Sequence, residues 1–243
     1  MRIQFTKMHG LGNDFVVIDA VSQHVNLRAS QIEKLANRHT GVGFDQLLLI
    51  EPPSRPDADF DYRIFNSDGG EVEHCGNGAR CFAKFVTDRE LTSKPVITVN
   101  TARGLIELEL TDLGLVRVNM GQPVLDPNAL PYVGPPELDA SQTVALDIPF
   151  DQKQFGLISM GNPHAVCIVD SVDSIAVEDI GRAVQMLPQF PDSVNVGFVE
   201  IVSRTEMRLR VYERGAGETL ACGTGACAAV AYARLLEQLD SQV

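Results

Sequence analysis

Two cysteines of this chain stand in the same local setting. Cys75 and Cys222 come directly before the sequences Gly76-Asn77-Gly78 and Gly223-Thr224-Gly225. A glycine-rich turn that opens a helix presents unpaired N–H groups and partial positive charge, which favour a thiolate and bind a carboxylate. If both cysteines flank one ligand, one can deprotonate a carbon while the other reprotonates its opposite face. The pair therefore predicts racemisation or epimerisation without a cofactor.

Such a site must also stabilise a carbanion, because the α-proton of an amino acid is only weakly acidic. We expect backbone donors at Gly76-Asn77 and Gly223-Thr224 to hold the α-carboxylate and to take up the developing charge. His164 and Glu213, the latter directly before Arg214, are candidates for setting the proton states of the two thiols.

The setting of the cysteines belongs to a longer internal repeat. Residues 63–85 align without a gap on residues 210–232, with seven identities in 23 positions, where composition predicts roughly one or two. Two further matches follow in the same order: Gly12-Asn13 with Gly161-Asn162, and Val42-Gly43-Phe44 with Val196-Gly197-Phe198. The repeat predicts a duplicated domain, residues 1–122 and 123–243, with the active site in the cleft between pseudo-symmetric halves.

Each half shows the patterns of an α/β fold. Apolar runs at Phe15–Ile18, Leu47–Ile50 and Arg208–Tyr212 predict strands. A glycine-rich turn and a helix come next, with Asn77 and Thr224 as predicted N-caps. The predicted helical segments are Ala79–Val86 and Ala226–Leu236.

The two halves differ after their cysteine helices. Three strands are predicted in the first half, at Val96–Asn100, Gly104–Thr111 and Leu115–Met120, followed by a proline-rich linker from Gly121 to Pro136. The second half ends at Val243, just beyond its helix. We therefore expect the second domain to lack its last strands.

Composition narrows the range of partners. The net charge of −12 disfavours nucleic acid and anionic membrane surfaces. The longest apolar stretch is far short of the roughly 20 residues of a membrane span, and the N-terminus lacks a signal-peptide h-region. Five cysteines, an odd number, indicate free thiols in a reducing compartment. We expect a cytoplasmic protein.

Several blocks of the chain together resemble the diaminopimelate epimerase family. The cysteine block carries Asn66-x-Asp68-Gly69 and then Cys75-Gly76-Asn77-Gly78-x-Arg80-Cys81. The other blocks are Met8-His9-Gly10-Leu11-Gly12-Asn13-Asp14-Phe15, Gly41-Val42-Gly43-Phe44-Asp45-Gln46, Gly161-Asn162-Pro163-His164 and Glu213-Arg214-Gly215-Ala216-Gly217-Glu218-Thr219. The matches run from residue 7 to about residue 233, and their combination is highly specific.

The resemblance implies interconversion of LL- and meso-diaminopimelate in lysine and peptidoglycan-precursor synthesis, with no cofactor and no metal. It implies two domains, each a curved mixed sheet or barrel around a central helix, and a homodimer if the C-terminal strands are present. Cys75 and Cys222 would be the acid–base thiols, assisted by His164 and Glu213. The implied substrate-binding residues are Asn13, Gln46, Asn66, Gly76, Asn77, Asn162, Asn195, Glu213, Arg214, Gly223 and Thr224. Arg214 is suited to pair the distal carboxylate.

Plainer interpretations apply to single residues. Cys81, Cys167 and Cys227 have apolar neighbours and are predicted to fill the core. Zinc is disfavoured because no His-x₃₋₅-His pair accompanies the cysteines. Taken singly, the asparagines fit turns, and Arg214 beside Glu213 fits a solvated ion pair.

Two other functions stay open. An isomerase acting on another amino acid would keep both cysteines. A non-enzymatic ligand-binding or assembly protein would bind diaminopimelate without proton exchange. A cysteine–histidine hydrolase is disfavoured, because it has no use for a second matched thiol.

Overall fold

The computed structural model describes residues 2–72, 76–102, 104–134, 141, 143–149 and 151–243. The chain divides into two compact units, Met1–Asn119 and Met120–Val243. Within the described ranges, no helix is both long and apolar enough to span a membrane.

The first unit is a mixed sheet with a helix on each face. Its elements are β1 (Thr6–Gly10), β2 (Asn13–Asp19), α1 (Ala29–Ala36), β3 (Gln46–Glu51), β4 (Phe60–Asn66), β5 (Glu71–Val72), α2 (Gly76–Asp88), β6 (Val96–Thr101), β7 (Gly104–Leu110) and β8 (Val116–Val118). The sheet order is β1-β2-β3-β4-β6-β7-β8, with β5 beside β4. β2 and β3 are parallel and joined through α1, as an α/β crossover requires.

This sheet curls around α2. The helix contacts β1 and β2 near one end of the sheet and β7 and β8 at the other. Phe82 of α2 packs edge-on against Tyr62 and Phe60 in the core on this face. On the opposite face, Ile32 of α1 packs with Leu47 of β3. A flat sheet could not bring both of its ends to one helix, so the strands must curve.

The second unit is also a mixed sheet with a helix on each face. Its elements are a 3₁₀ helix (Pro127–Ala129), β9 (Thr143–Ile148), β10 (Asp151–Ser159), β11 (Pro163–Ile168), α3 (Val177–Gln185), β12 (Asn195–Ser203), β13 (Glu206–Glu213), β14 (Gly217–Thr219) and α4 (Gly223–Leu235). The sheet order is β14-β13-β12-β11-β10-β9. β11 and β12 are parallel, α4 contacts β10 to β13, and α3 contacts β9, β12, β13 and β14.

Strand registers establish which positions of the two units correspond. Phe15 pairs with Gln46 across the parallel strands β2 and β3, as His164 pairs with Asn195 across β11 and β12. The match of Gly12-Asn13 with Gly161-Asn162 is therefore confirmed. The match of residues 42–44 with 196–198 is wrong, because 42–44 precede β3 whereas 196–198 lie within β12. The local similarity of Val-Gly-Phe arose without a common place in the fold.

The predicted N-caps are also wrong. The helix α4 begins at Gly223 with Cys222 as its N-cap, and α2 begins at Gly76. Asn77 and Thr224 therefore lie inside the first turn, and both are buried. The Thr224 side chain contacts Asn162, which lies outside α4, whereas the Asn77 Oδ1 accepts from Arg80 of its own helix.

The predicted strands after α2 are confirmed, although β8 is shorter than expected. The segment predicted as a linker is instead part of a folded unit. Over its described part, to residue 134, it belongs to the second unit, where Leu130 is buried in the core and Val124 bridges to Ser159 of β10. Pro127 starts the 3₁₀ helix and Pro131 follows its end, whereas Pro135 and Pro136 lie outside the described residues.

Candidate active site

Cys222 occupies the position that opens α4. Its backbone is extended (φ −128°, ψ 111°), and the residue is only 9% exposed. A Cβ on Gly225 would lie 3.3 Å from the Cys222 Sγ, so this glycine lets the helix turn pack closely on the sulfur. The Gly225 N–H also bonds the sulfur. The cysteine–glycine spacing thus places a thiol against the positive end of a helix.

Burial nevertheless raises the pKa of the Cys222 thiol to about 12. The negative charge of Glu213 and its hydrogen bond to the thiol raise the pKa further, while the Thr224 hydroxyl and the Gly225 N–H oppose the change. Cys222 therefore carries its proton near neutral pH and is equipped to donate it.

Glu213 is held in place by its own hairpin. It is the last residue of β13 and pairs with Gly217 at the start of β14. The Thr219 hydroxyl donates a hydrogen bond of 2.5 Å to the Glu213 Oε1. The carboxylate is thus oriented by two neighbouring strands.

His164 lies in β11 and is 1% exposed. Burial, together with the positive charge of Arg214, lowers the pKa of its imidazole to about 3, so the ring is neutral at physiological pH. Its Nε2 lies 3.1 Å from the Asn162 Oδ1, and the Asn162 Nδ2 donates to the Thr224 Oγ1 at 3.2 Å. The Thr224 Oγ1 is 3.4 Å from the Cys222 Sγ. A chain of hydrogen bonds therefore joins His164 to Cys222.

The Asn195 side chain forms hydrogen bonds with the backbone of two neighbouring segments. Its Nδ2 donates to the Pro163 carbonyl at 3.0 Å, and its Oδ1 accepts from the Arg214 N–H at 2.9 Å. The Arg214 guanidinium donates to the Asp192 carbonyl at 3.2 Å. This buried amide thus ties His164's strand to the turn that carries Arg214.

In the first unit, Cys75 lies outside the described residues, and the structure begins again at Gly76. Asn77 is buried at the start of α2, where its Oδ1 accepts from the Arg80 guanidinium at 3.2 Å. Gly10 of β1 packs against Asn77, since a Cβ there would lie 3.5 Å from the Asn77 Cβ. The helix start therefore lies beside the turn that precedes Asn13.

Gln46 and Asn66 face each other on paired strands. The Gln46 Nε2 donates to the Asn66 Oδ1 at 2.9 Å. Within the described structure, the Gln46 Oε1 is buried and has no hydrogen-bond partner. A buried carbonyl without a donor is costly, so this atom is an acceptor suited to a ligand's N–H group.

Asn13 is held by a charge network that the sequence analysis missed. The Asp45 carboxylate accepts from the Asn13 Nδ2 at 3.3 Å and from the Asp14 N–H at 2.9 Å. Arg38 bonds both carboxylates at 2.6 to 2.7 Å, and Lys7 bonds Asp14. Partial burial raises the pKa of Asp14, but the hydrogen bonds from Arg38 and Lys7 outweigh it and hold the pKa well below its usual range. The sequence contained a signal for this network, because Asp14 and Asp45 directly adjoin expected site residues.

The structure thus brings the expected residues together in two sets, one in each unit. The first set, at the start of β2, β3 and α2 and the end of β4, is Asn13, Gln46, Asn66, Gly76 and Asn77. The second set, around Cys222, is Asn162, His164, Asn195, Glu213, Arg214, Gly223 and Thr224. Cys81 and Cys167 are buried, which confirms their predicted core positions, and Cys227 is half-buried. Among the residues described, no cluster of His, Cys, Asp and Glu could hold a metal ion.

Comparisons with known proteins agree with the sequence blocks. The family model described as diaminopimelate epimerase matches residues 5–125 and 156–243. Proteins named diaminopimelate epimerase from Ectopseudomonas mendocina (strain ymp) and Chromobacterium violaceum (strain ATCC 12472) are 54% and 56% identical over 243 residues. Each alignment covers 100% of this chain and 87% of the relative.

Solved structures share the fold at low sequence identity. A probable proline racemase from Agrobacterium radiobacter K84 matches with a TM-score of 0.68 and 18% identity, covering 98% of this chain and 79% of its own. A hydroxyproline epimerase from Agrobacterium vitis matches with a TM-score of 0.65 and 17% identity, covering 98% and 78%. These likenesses establish the two-domain architecture of mixed sheets.

Proposed function

The chain belongs to the diaminopimelate epimerase family, and from that membership we propose that it interconverts LL- and meso-diaminopimelate by proton transfer between two cysteines. As a member of this family it is an isomerase. The observation that carries the mechanism is the buried Cys222 thiol at the start of α4, which contacts a carboxylate, Glu213, and a hydroxyl, Thr224.

In the proposed cycle, Cys222 begins as the thiol and Cys75 as the thiolate. The Cys75 sulfur removes the α-proton from one face of the substrate carbon, and the Cys222 S–H protonates the opposite face. The electron pair of the broken C–H bond stays on the α-carbon as a carbanion until the second proton arrives. Afterwards the two sulfurs have exchanged proton states, so the reverse reaction starts from the product form.

The start of α4 supports this chemistry. Backbone N–H groups of Gly223 and Thr224 have no partner within the helix, as in any first helical turn. They are placed to bind the α-carboxylate and to stabilise the carbanion without reorganising. Gly76 and Asn77 hold the equivalent place in the first unit. Cofactor independence follows if these groups supply the stabilisation.

At the distal end of the substrate, the carboxylate needs a cation and the ammonium group needs hydrogen-bond acceptors. We assign Arg214 to the distal carboxylate, because its guanidinium offers a planar pair of donors. The unpartnered Gln46 Oε1 is suited to accept from the distal ammonium group, with Asn66 aligned beside it. Asn13 and Asn162 add amide contacts. Asn195 contributes its second Nδ2 hydrogen while it holds the Arg214 backbone.

The biological setting follows from the family name. We propose that the reaction serves lysine biosynthesis in the reducing cytoplasm, where both thiols stay reduced. The meeting of both thiols on one substrate carbon remains a prediction.

Deuterium exchange tests the proposal directly. Reduced protein in D₂O should place label at one α-carbon of meso-diaminopimelate and form the LL isomer. Cys75→Ala and Cys222→Ala should each abolish conversion, whereas Cys227→Ser, a change in the same helix as Cys222, should leave it intact. Full turnover by either alanine variant would refute the two-thiol mechanism.

Two further outcomes identify the rival functions. Binding of diaminopimelate without exchange by folded, reduced protein would indicate a ligand-binding protein. Exchange of another amino acid in preference to diaminopimelate would indicate a different isomerase.

A further inference from the structure

Thr224 lies between two side chains of the candidate site. Its Oγ1 is 3.4 Å from the Cys222 Sγ and 3.2 Å from the Asn162 Nδ2. The residue is 8% exposed and sits in the first turn of α4, with its hydroxyl turned inward. The sequence position of Thr224 predicts only an N-cap or a backbone donor, and neither assigns its hydroxyl a role toward Cys222.

The neighbours of the Thr224 hydroxyl favour one direction for its hydrogen bond. The Asn162 Oδ1 can only accept, and it faces the Nε2 of His164 at 3.1 Å, so Nε2 carries a hydrogen. The Asn162 amide is thereby oriented with its Nδ2 toward Thr224. While the Thr224 oxygen accepts this hydrogen bond, its own hydrogen is able to point at the sulfur of Cys222, 3.4 Å away.

We infer that Thr224 is a positioning residue that stabilises the thiolate form of Cys222, and that His164 and Asn162 set the direction of its hydrogen bond. This inference rests on the proposed function only because the proposed reaction cycle is what forms the Cys222 thiolate. In the cycle, Cys222 becomes a thiolate each time it has donated its proton. The Thr224 hydroxyl then receives a charged acceptor, which makes a stronger hydrogen bond than a neutral one.

The charges around Cys222 make this contribution necessary. Glu213 of β13 faces the sulfur and disfavours the thiolate, as does burial. The Gly225 N–H and the Thr224 hydroxyl favour it. Arg214 acts on the neutral His164, which is connected through Asn162. Among the described residues around this sulfur, Thr224 is thus the side-chain donor that opposes the effect of Glu213 on the thiolate.

Alkylation of Cys222 without substrate tests the inference. Iodoacetamide reacts with the thiolate, and mass spectrometry of the peptide gives its rate between about pH 8 and 11. Thr224→Val keeps the shape and removes the hydroxyl, and alkylation at a given pH should fall about tenfold. Thr224→Ser should restore the rate. Asn162→Leu should lower it several-fold, since the hydroxyl is then free to turn away.

Internal controls separate this effect from misfolding. Cys227 of the same helix serves as the reference thiol in each digest, and circular dichroism reports folding. If Thr224→Val does not fold, Thr224→Ala and Asn162→Leu carry the same test. An unchanged or faster alkylation of Cys222 in folded variants would overturn the inference, and a faster rate would mean that the sulfur donates to Thr224.

The result is independent of the assignment of substrate. A protein that fails to epimerise diaminopimelate but shows the tenfold effect would refute the proposed function alone. Normal epimerisation with unchanged alkylation in Thr224→Val would refute the role of Thr224 alone.

Discussion

His164 is joined to Cys222 through hydrogen bonds that pass by way of Asn162 and Thr224. The imidazole is neutral and buried, so it orients the amide of Asn162 without adding charge near the sulfur. The charged group facing Cys222 is instead Glu213. In the second unit, His164 therefore sets the direction of the hydrogen bonds, and Glu213 raises the proton affinity of the Cys222 thiol.

Replacing Glu213 with glutamine should lower the pKa of Cys222 from about 12. Its negative charge disfavours the thiolate, so its removal increases the thiolate fraction at any given pH. Iodoacetamide labelling of Cys222 near pH 9 should become several-fold faster, and epimerisation should fall. Glu206→Gln, an exposed change at the other end of β13, is the matched control. Equal labelling in both variants would contradict the assignment.

Neutral His164 should make stability depend on pH. Its pKa is about 3 when folded and about 6.5 in an unfolded chain, so its contribution is complete above about pH 6.5 and decreases as pH falls toward 3. Between pH 6.5 and 5 the loss is at most about 2 kcal/mol. Urea unfolding at both pH values should show a larger loss in the unmodified protein than in His164→Gln. Equal losses would show that His164 is protonated in the folded state.

Gly156 of β10 should not tolerate a side chain. A Cβ there would lie 2.1 Å from the ring of Tyr232, which is buried in α4 and hydrogen-bonded to the Thr143 hydroxyl at 2.9 Å. Gly156→Ala should lower the free energy of unfolding by about 1–3 kcal/mol through overpacking. Gly197→Ala is the control, because its Cβ would meet the Leu209 side chain at 3.6 Å and Val166 at 3.8 Å, which are ordinary van der Waals distances. Similar urea midpoints for the two variants would be inconsistent with this packing.

Asp45 should influence substrate binding through Asn13. The Asp45 carboxylate accepts from the Asn13 amide and from the Asp14 N–H, so its loss removes contacts that position the start of β2. Asp45→Ala should raise the KM for diaminopimelate about fivefold to tenfold, the effect of about 1 kcal/mol, with a smaller change in kcat. Steady-state kinetics beside Asp57→Ala, an exposed partner of Arg55, measure this. A KM unchanged by the loss of Asp45 would contradict the influence of Asp45 on substrate binding.

Much of the architecture could be predicted from residue order. Continuous apolar runs identified β2 and β3, an alternating run identified β13, and the Gly-x-Gly turns identified the starts of α2 and α4 to within one residue. These signals are local, because strand and helix periodicity and glycine-rich turns act over a few neighbouring residues. The paired cysteines also suggested proton transfer before any fold was known.

Similarity of short segments was a weaker guide. Residues 42–44 and 196–198 share a sequence but occupy a loop and a strand, since their places depend on the register of whole strands. Thr224 looked like an N-cap, yet its hydroxyl contacts Cys222 and Asn162. Local capping rules describe the helix alone and take no account of what packs against its first turn.

The sequence by itself determined the pair of cysteines, the repeat and the helix starts that favour anions, because each depends on residues close along the chain. Only the tertiary structure decided that Asn162 meets Thr224, 62 positions later, and that Asp45 holds Asn13 across β2 and β3. Those contacts arise where β11 packs under α4 and where parallel strands lie side by side. Distance along the chain carries no information about such packing, so the hydrogen bonds that direct the chemistry became visible only in the fold.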